Sequence, residues 1–346
     1  MEHLSTSRPA GRAVTYMVKL LPPPHCFTAK ALRRISLSPP PMCGKAYLRH
    51  RLIGRWKSTP SMARLLSLLR LMRPVNAVMM GFAVLVGAAL AGGLNSASWR
   101  GLLLGFATGF LMTAAAMALN DYCDREIDAV NQPDRPIPSG DVKPWEALAL
   151  MTLLSLLGLL LAWMTNLGCL LLAAFSWIVM ASYSTVGKST GLPGNLMVSI
   201  CVSIPFLYGA LASGVGLPMR TLLFASMAFL SNTGREVAKG IADVEGDRRR
   251  GVRTIAVSRG SRAAALVSAL FLISALLLSP LPILWGIVSI WYLPPVLATD
   301  LMLLYSSISL VKRPTRENSL RVKRVILTAM ALGLLGFLLG ALLPGG

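Results

Sequence analysis

Eleven of the fourteen acidic residues in this 346-residue chain fall into two short stretches. Asp121, Asp124, Glu126, Asp128, Asp134, Asp141 and Glu146 lie within 121–146, and Glu236, Asp243, Glu245 and Asp247 within 236–247. In the first stretch Asn120, Asp124 and Asp128 recur every four positions. A helix continuing through them carries all three on one face, with about 6 Å between successive levels. Asp243 and Asp247 repeat the interval, and Lys239 stands one turn earlier on the same face. Carboxylates crowded without partners repel by about 4 kcal/mol per unit pair at 4 Å and an effective dielectric constant near 20. A divalent cation removes that repulsion. Oxygen-only donors suit Mg2+, which keeps several waters and takes one or two carboxylates together with substrate phosphate oxygens. The chemistry these residues could do is therefore to hold Mg2+ and a diphosphate. The competing reading is that the acids neutralise arginines in solvated loops, which suits one such cluster better than two with the same interval.

Candidate phosphate binders stand between and around the acids. Three prolines, Pro133, Pro136 and Pro138, keep the segment Asn131 to Gly140 out of regular helix and make it a stiff loop. Such a loop presents Arg135 at a fixed place over the acids, and a guanidinium is suited to bidentate phosphate contacts. Lys188, alone in the short loop 186–195, Lys239, and Arg73 at the start of the first apolar run are further candidates. For Arg73 and Lys188 interfacial anchoring competes with ligand binding. Tyr122, Tyr183 and Tyr208 could stabilise a cation through their ring faces, with packing as the default reading.

The elements that must position these groups are membrane helices. The chain is 54% hydrophobic and only 14% charged, whereas soluble chains carry about a quarter charged residues. Its net charge of +20 invites comparison with nucleic-acid binders, but the apolar stretches between the charges are long enough to cross a bilayer. Nine runs are expected as spans: 75–94, 100–120, 146–164, 167–186, 195–214, 219–238, 263–281, 284–307 and 324–343. Asn232, Arg235 and Glu236 load one end of the sixth, and Pro294-Pro295 interrupts the eighth. The expected fold is an all-α polytopic membrane bundle of about nine transmembrane helices, occupying residues 64–346. Sixteen Lys and Arg residues fall in the loops after the even-numbered spans, against Arg100 and Arg220 in the opposite loops. That asymmetry puts the charged loops and both acid clusters on the cytoplasmic side. Five scattered cysteines without a CxxC pair offer no zinc site or disulfide framework, and all three histidines precede the first span. Residues 1–60 hold eleven basic residues, one acid and two proline runs. They read as an extension without a fold, either a transit peptide or a start placed too early, with Met62 just before the first organised segment.

The pattern Asn120-Asp121-x-x-Asp124-x-x-x-Asp128, followed by Asn131-x-Pro133-x-Arg135-Pro136-Ile137-Pro138-Ser139-Gly140 and then by Asp243-x-x-x-Asp247, resembles the UbiA-type intramembrane prenyltransferases. The resemblance runs from about Arg70 to the C-terminus. Within that family the second motif, Arg235-Glu236, Lys239 and Asp243-Val244-Glu245-Gly246-Asp247-Arg248, resembles the branch that builds the second ether bond of archaeal membrane lipids. Chlorophyll synthases share part of it and stand with aromatic-acceptor enzymes as the neighbouring alternative. The resemblance implies Mg2+-dependent transfer of a geranylgeranyl group from its diphosphate to geranylgeranylglyceryl phosphate. It implies further that Asn120, Asp124, Asp128, Asp243 and Asp247 hold metal and diphosphate. Asp121 is the outlying member, because on a continuous helix it lies about 100° from Asn120. An ion-coupled transporter is the alternative from another class; such proteins tend to place ion sites near the bilayer midplane rather than at one face.

Overall fold

The computed structural model describes residues 60–92, 99–249 and 251–344; the basic extension 1–59 lies outside them. Helix α1 (Pro60–Met72) leads into α2 (Pro74–Leu90), followed by α3 (Trp99–Asn131), α4 (Pro144–Thr165) and α5 (Leu167–Thr185). After a 3-10 turn, Gly187–Thr190, come α6 (Leu192–Ala212), α7 (Met219–Ala242), the short α8 (Val244–Arg249) and α9 (Ile255–Arg259), and α10 (Ser261–Leu278). A four-residue α11 (Leu281–Leu284) and a second 3-10 turn, Ile290–Tyr292, precede α12 (Leu293–Lys312) and α13 (Arg316–Leu342). No strand occurs among the described residues.

Each of the nine expected runs is occupied by one long helix. Seven of these are long and apolar enough to cross a membrane, and the bent pair α1–α2 makes an eighth candidate. The remaining one, α7, carries Arg235, Glu236 and Lys239 inside its last two turns, which keeps it below the apolarity of the others. Several boundaries differ from expectation, and two show why. The eighth span begins at Leu293 rather than 284, and Pro294-Pro295 opens the helix instead of interrupting it. In the first turn a proline's missing N–H removes no intrahelical bond, and its fixed φ suits the helix. The ninth helix begins eight residues earlier than expected, at Arg316, where the Thr315 hydroxyl caps the backbone N–H of Asn318 at 3.3 Å. That charged first stretch projects from the apolar run because its termini are satisfied without lipid contact.

Tertiary contacts sort the helix ends into two sets. At one end the Arg64 guanidinium pairs with Glu146, Lys188 reaches Asp124, the Arg253 N–H reaches the Ser189 carbonyl, and the Ser319 hydroxyl bonds the Ala238 carbonyl. At the other, Arg220 bonds the Ala91 carbonyl, Asn166 the Leu211 carbonyl at 2.9 Å, and the Ser289 N–H the Gly340 carbonyl at 2.9 Å. Both acid clusters belong to the first set.

The helices pack by close approach. In a membrane there is no hydrophobic driving force between helices, so association relies on small residues that let backbones meet. At the α2–α6 crossing a Cβ on Gly87 would strike the Phe206 backbone and one on Gly209 the Val84 carbonyl oxygen. Leucines such as Leu153, Leu156, Leu160, Leu171 and Leu270 face outward, as a lipid-solvated surface requires.

Candidate active site

Helix α3 continues unbroken through the first motif to Asn131 because residues 99–129 contain neither proline nor a capping stop. Its four-residue interval drifts by about 40° per step, whereas seven residues return to within about 20°. Asp128 therefore shares an azimuth with Asp121 more closely than with Asn120, and the structure groups them accordingly. Arg135 Nη1 lies 2.5 Å from Asp128 Oδ2 and 3.3 Å from Asp121 Oδ1, and Arg73 Nη2 lies 2.5 Å from the same Asp121 oxygen. The other strip is Asn120 and Asp124: the Asn120 amide donates to Asp124 Oδ2 at 3.0 Å, and Lys188 Nζ stands 2.6 Å from that oxygen. The Asp121 and Asp128 side chains are 6% and 7% exposed, against 21% for Asp124. Of the motif's three aspartates, Asp124 is thus the one most open to a ligand.

The loop after α3 is held as stiffly as its prolines require. Val142 N–H bonds the Pro136 carbonyl and Ser139 N–H the Arg135 carbonyl, both at 2.9 Å, while buried Ile137 and Val142 pack on Leu71 and Ala147. Arg135 is further fixed by its Nε–H bond to Gln132 at 2.8 Å. Arg73 is the one non-glycine residue with positive φ among those described (φ 47°, ψ 67°), at the 43° bend between α1 and α2. A left-handed conformation at a bulky residue is strained and persists only where its surroundings over-determine it. Here the bond to buried Asp121 does so.

The second motif departs from a continuous helix. Helix α7 ends at Ala242, and Asp243 caps it before α8 begins at Val244. The four-residue hydrogen bonds nevertheless run through the break, from Asp243 N–H to the Lys239 carbonyl at 3.2 Å and from Asp247 N–H to the Asp243 carbonyl at 2.8 Å. Glu236, counted among the acids but not picked out as a site residue from the sequence, is buried and lies 2.7 Å from Arg235 Nη1 and 3.4 Å from Lys239 Nζ. Its signal was the i, i+3 spacing to Lys239 on the face that also carries Asn232 and Asp243.

Tyr183, on the last turns of α5, stands beside the first motif's cation: Lys188 Nζ, 2.6 Å from Asp124, lies 5.7 Å from its ring centre. The 3-10 turn carrying Lys188 is pressed against the Arg253–Thr254 backbone, where Gly191 (φ 75°) leaves no room for a Cβ. Tyr122 instead carries the Arg125 guanidinium at 4.8 Å. Tyr208 is buried among Val84, Ala162, Cys169 and Ala173 toward the opposite end of the bundle, in the packing role.

Beneath the charged end the bundle holds an apolar chamber that is open on one side. Met79, Ser231, Phe206, Leu303, Met330 and Phe337 are among its lining. Ser231 lies one helical turn below Arg235, so part of the lining approaches the second motif. Among the described residues no three Asp, Glu, His or Cys side chains stand close enough together to hold a metal ion unaided. What the donor chemistry offers is carboxylate oxygen flanked by Lys and Arg, the pattern of a Mg2+–diphosphate site rather than of a zinc site.

The profile of the UbiA prenyltransferase family matches residues 80–329. The chain belongs to that family. Membership sets aside the transporter alternative and fits a multi-pass membrane enzyme. A digeranylgeranylglyceryl phosphate synthase of Archaeoglobus fulgidus is 37% identical over 275 residues, covering 78% of this chain and 94% of the relative. A solved structure of digeranylgeranylglyceryl phosphate synthase superposes with a TM-score of 0.69 at 30% identity, covering 81% of this chain and 99% of that one. A UbiA homologue from the same archaeon, solved with GPP and Mg2+, has a TM-score of 0.58 at 17% identity, over 78% of this chain and 99% of the other. These likenesses extend the UbiA fold over the described helical bundle.

Arg135 bridges two buried carboxylates, so its loss leaves both without their shared cation. Arg135→Ala is expected to lower stability by about 3 kcal/mol, since breaking a largely buried pair strands a charge. In a double-mutant cycle, adding Asp128→Asn recovers part of that loss. Thermal unfolding of the purified variants in detergent reads both values; additive losses would show that the contact contributes nothing.

Proposed function

We propose that this UbiA-family enzyme transfers a geranylgeranyl group from geranylgeranyl diphosphate to geranylgeranylglyceryl phosphate, forming the second ether bond of archaeal membrane lipids. The observation that carries the reading is Lys188, paired with Asp124 of the first motif at 2.6 Å on a turn that packs against the Arg253–Thr254 backbone just after the second motif, in a bundle that also holds an apolar chamber. The named relatives support the choice of substrates. The orientation from loop charges puts the site at the cytoplasmic face of the cell membrane.

Breaking an allylic diphosphate leaves an anion and a delocalised carbocation, so catalysis must stabilise charge on the leaving group and keep water from the cation. Asp124, Asp243, Asp247 and the Asn120 amide oxygen would hold Mg2+, with Asp121 and Asp128 behind them in the same set. Bound there, Mg2+ supplies Lewis-acid neutralisation of the phosphate oxygens. Lys188 and Lys239 exchange a carboxylate partner for a phosphate oxygen as the diphosphate arrives, and Arg73 and Arg135 hold the buried pair Asp121 and Asp128 in place. The Tyr183 ring, 5.7 Å from Lys188 Nζ, would be available to stabilise the cation through its face. The apolar helices exclude water and admit both lipid chains sideways from the bilayer, leaving the acceptor's phosphate at the basic rim.

The test is purified protein in lipid vesicles with labelled geranylgeranyl diphosphate and, separately, geranylgeranylglyceryl phosphate, an aromatic acid and chlorophyllide. Mass analysis is expected to show the digeranylgeranyl ether only, with turnover abolished by EDTA and restored by added Mg2+. Transfer to the aromatic acid or chlorophyllide instead reassigns the acceptor, and turnover in EDTA removes the metal from the scheme.

A further inference from the structure

One carboxylate of the bundle takes no part in the charged end. Asp300, on α12, lines the apolar chamber together with Ser279. Its Oδ2 lies 2.6 Å from Ser279 Oγ, which also stands 2.9 Å from the Leu276 carbonyl. The Tyr292 hydroxyl donates to the Ser279 carbonyl at 2.8 Å, and Tyr292, Phe224 and Phe337 pack together beside it, the last two rings 4.6 Å apart. An ionisable side chain within a membrane span is costly, which makes it a mark of function by default.

Its depth gives it a role. Asp300 stands twelve residues before the charged end of α12 at Lys312, about 18 Å along the axis. Ser279 lies just beyond the last residue of α10, a helix about 27 Å long whose first residue is at the charged end. The chamber's lining runs from Met79, Met80 and Ser231 on the side of the charged end to Val296, Phe206 and Phe337 farther along the bundle, and it carries in its wall the hydrogen-bonded pair Asp300–Ser279. An isoprenoid chain hanging from a diphosphate at the charged end has apolar walls to follow until it meets that pair. Passing it would strip polar atoms of their surroundings with nothing to hydrogen-bond in return.

We propose that Asp300, set by Ser279, is the polar stop that limits the length of prenyl chain the chamber accepts. The inference rests on the prenyl-transfer reading above and adds to it a specificity-determining residue. Removing the carboxylate does not strand Ser279, because its hydroxyl retains the Leu276 carbonyl.

The experiment is a competition in vesicles between geranylgeranyl diphosphate and geranylfarnesyl diphosphate, one isoprene unit longer, with geranylgeranylglyceryl phosphate as acceptor. The parent is expected to favour the shorter donor. In Asp300→Ala the ratio of kcat/KM values, longer over shorter, rises about tenfold or more, the scale of a pocket's discrimination between neighbouring chain lengths. Asp300→Val, close in shape but apolar, moves the same way, and Asp300→Asn keeps the parent ratio. A merely structural role would lower both donors together. An unchanged ratio in the alanine and valine variants, or a parent without preference, overturns the polar stop while leaving prenyl transfer standing. A parent inactive with every prenyl donor and acceptor overturns the functional reading and this inference with it.

Discussion

Asp124→Ala abolishes prenyl transfer, with a loss of about a thousandfold or more, while the protein still inserts and elutes as the parent does. The magnitude follows from removing a group that acts on charge developing in a site shielded from water. Asp124 is the place to look because its carboxylate is the most exposed of the first motif's three aspartates and is held by Lys188 and Asn120. Asp243→Ala, at the cap of α7, is expected to match it. The buried pair differs: Asp121→Asn and Asp128→Asn strand Arg73 and Arg135 and lower stability along with activity. Transfer assays on purified variants, read beside their circular dichroism and unfolding midpoints, separate the two classes. Full activity in either alanine variant rejects the metal and diphosphate assignment.

The largest effect on stability is expected at the α2–α6 crossing. Gly209→Ala puts a methyl against the Val84 carbonyl oxygen, with the Ala88 nitrogen 2.6 Å away, and both obstacles are backbone. Neither can move aside by changing rotamer, so the two helices must separate along their length. Overpacking of this kind costs about 3 kcal/mol, and here the lost contact also carries the packing that holds membrane helices together. Gly87→Ala, facing the Phe206 backbone, behaves alike. Gly246→Ala is the control, since a Cβ there meets nothing within 4 Å. Thermal unfolding in detergent is expected to show the first two variants well below the parent and the control near it; a parent-like Gly209→Ala would mean the helices cross elsewhere.

Much of this protein is legible in its residues because a bilayer leaves few choices. Without water to satisfy backbone groups, apolar runs of about twenty residues must be helices, and loop charge must sort to one side. Hence the long apolar helices among the described residues and the gathering of both acid clusters at one end follow from hydropathy and charge alone. So does the stiff loop 131–140, because proline fixes its backbone wherever it sits. The places where reading by residue fell short are those where position within an element matters. Pro294-Pro295 suggested an interruption until the helix was seen to start there. The interval of four grouped Asp128 with Asn120, although its azimuth brings it beside Asp121 and under Arg135.

The sequence by itself determined the element types, the sidedness and the chemical inventory: oxygen donors, phosphate-binding cations and no imidazole in the spans. Only the tertiary structure decided which cation holds which carboxylate, that Glu236 lies buried between Arg235 and Lys239, that Lys188 reaches both Asp124 and the Tyr183 ring, and that Asp300 pairs with Ser279 in the wall of the chamber. Helical periodicity specifies a face, but which face meets which neighbour depends on backbone approach at residues such as Gly87 and Gly209, far along the chain from the groups they bring together.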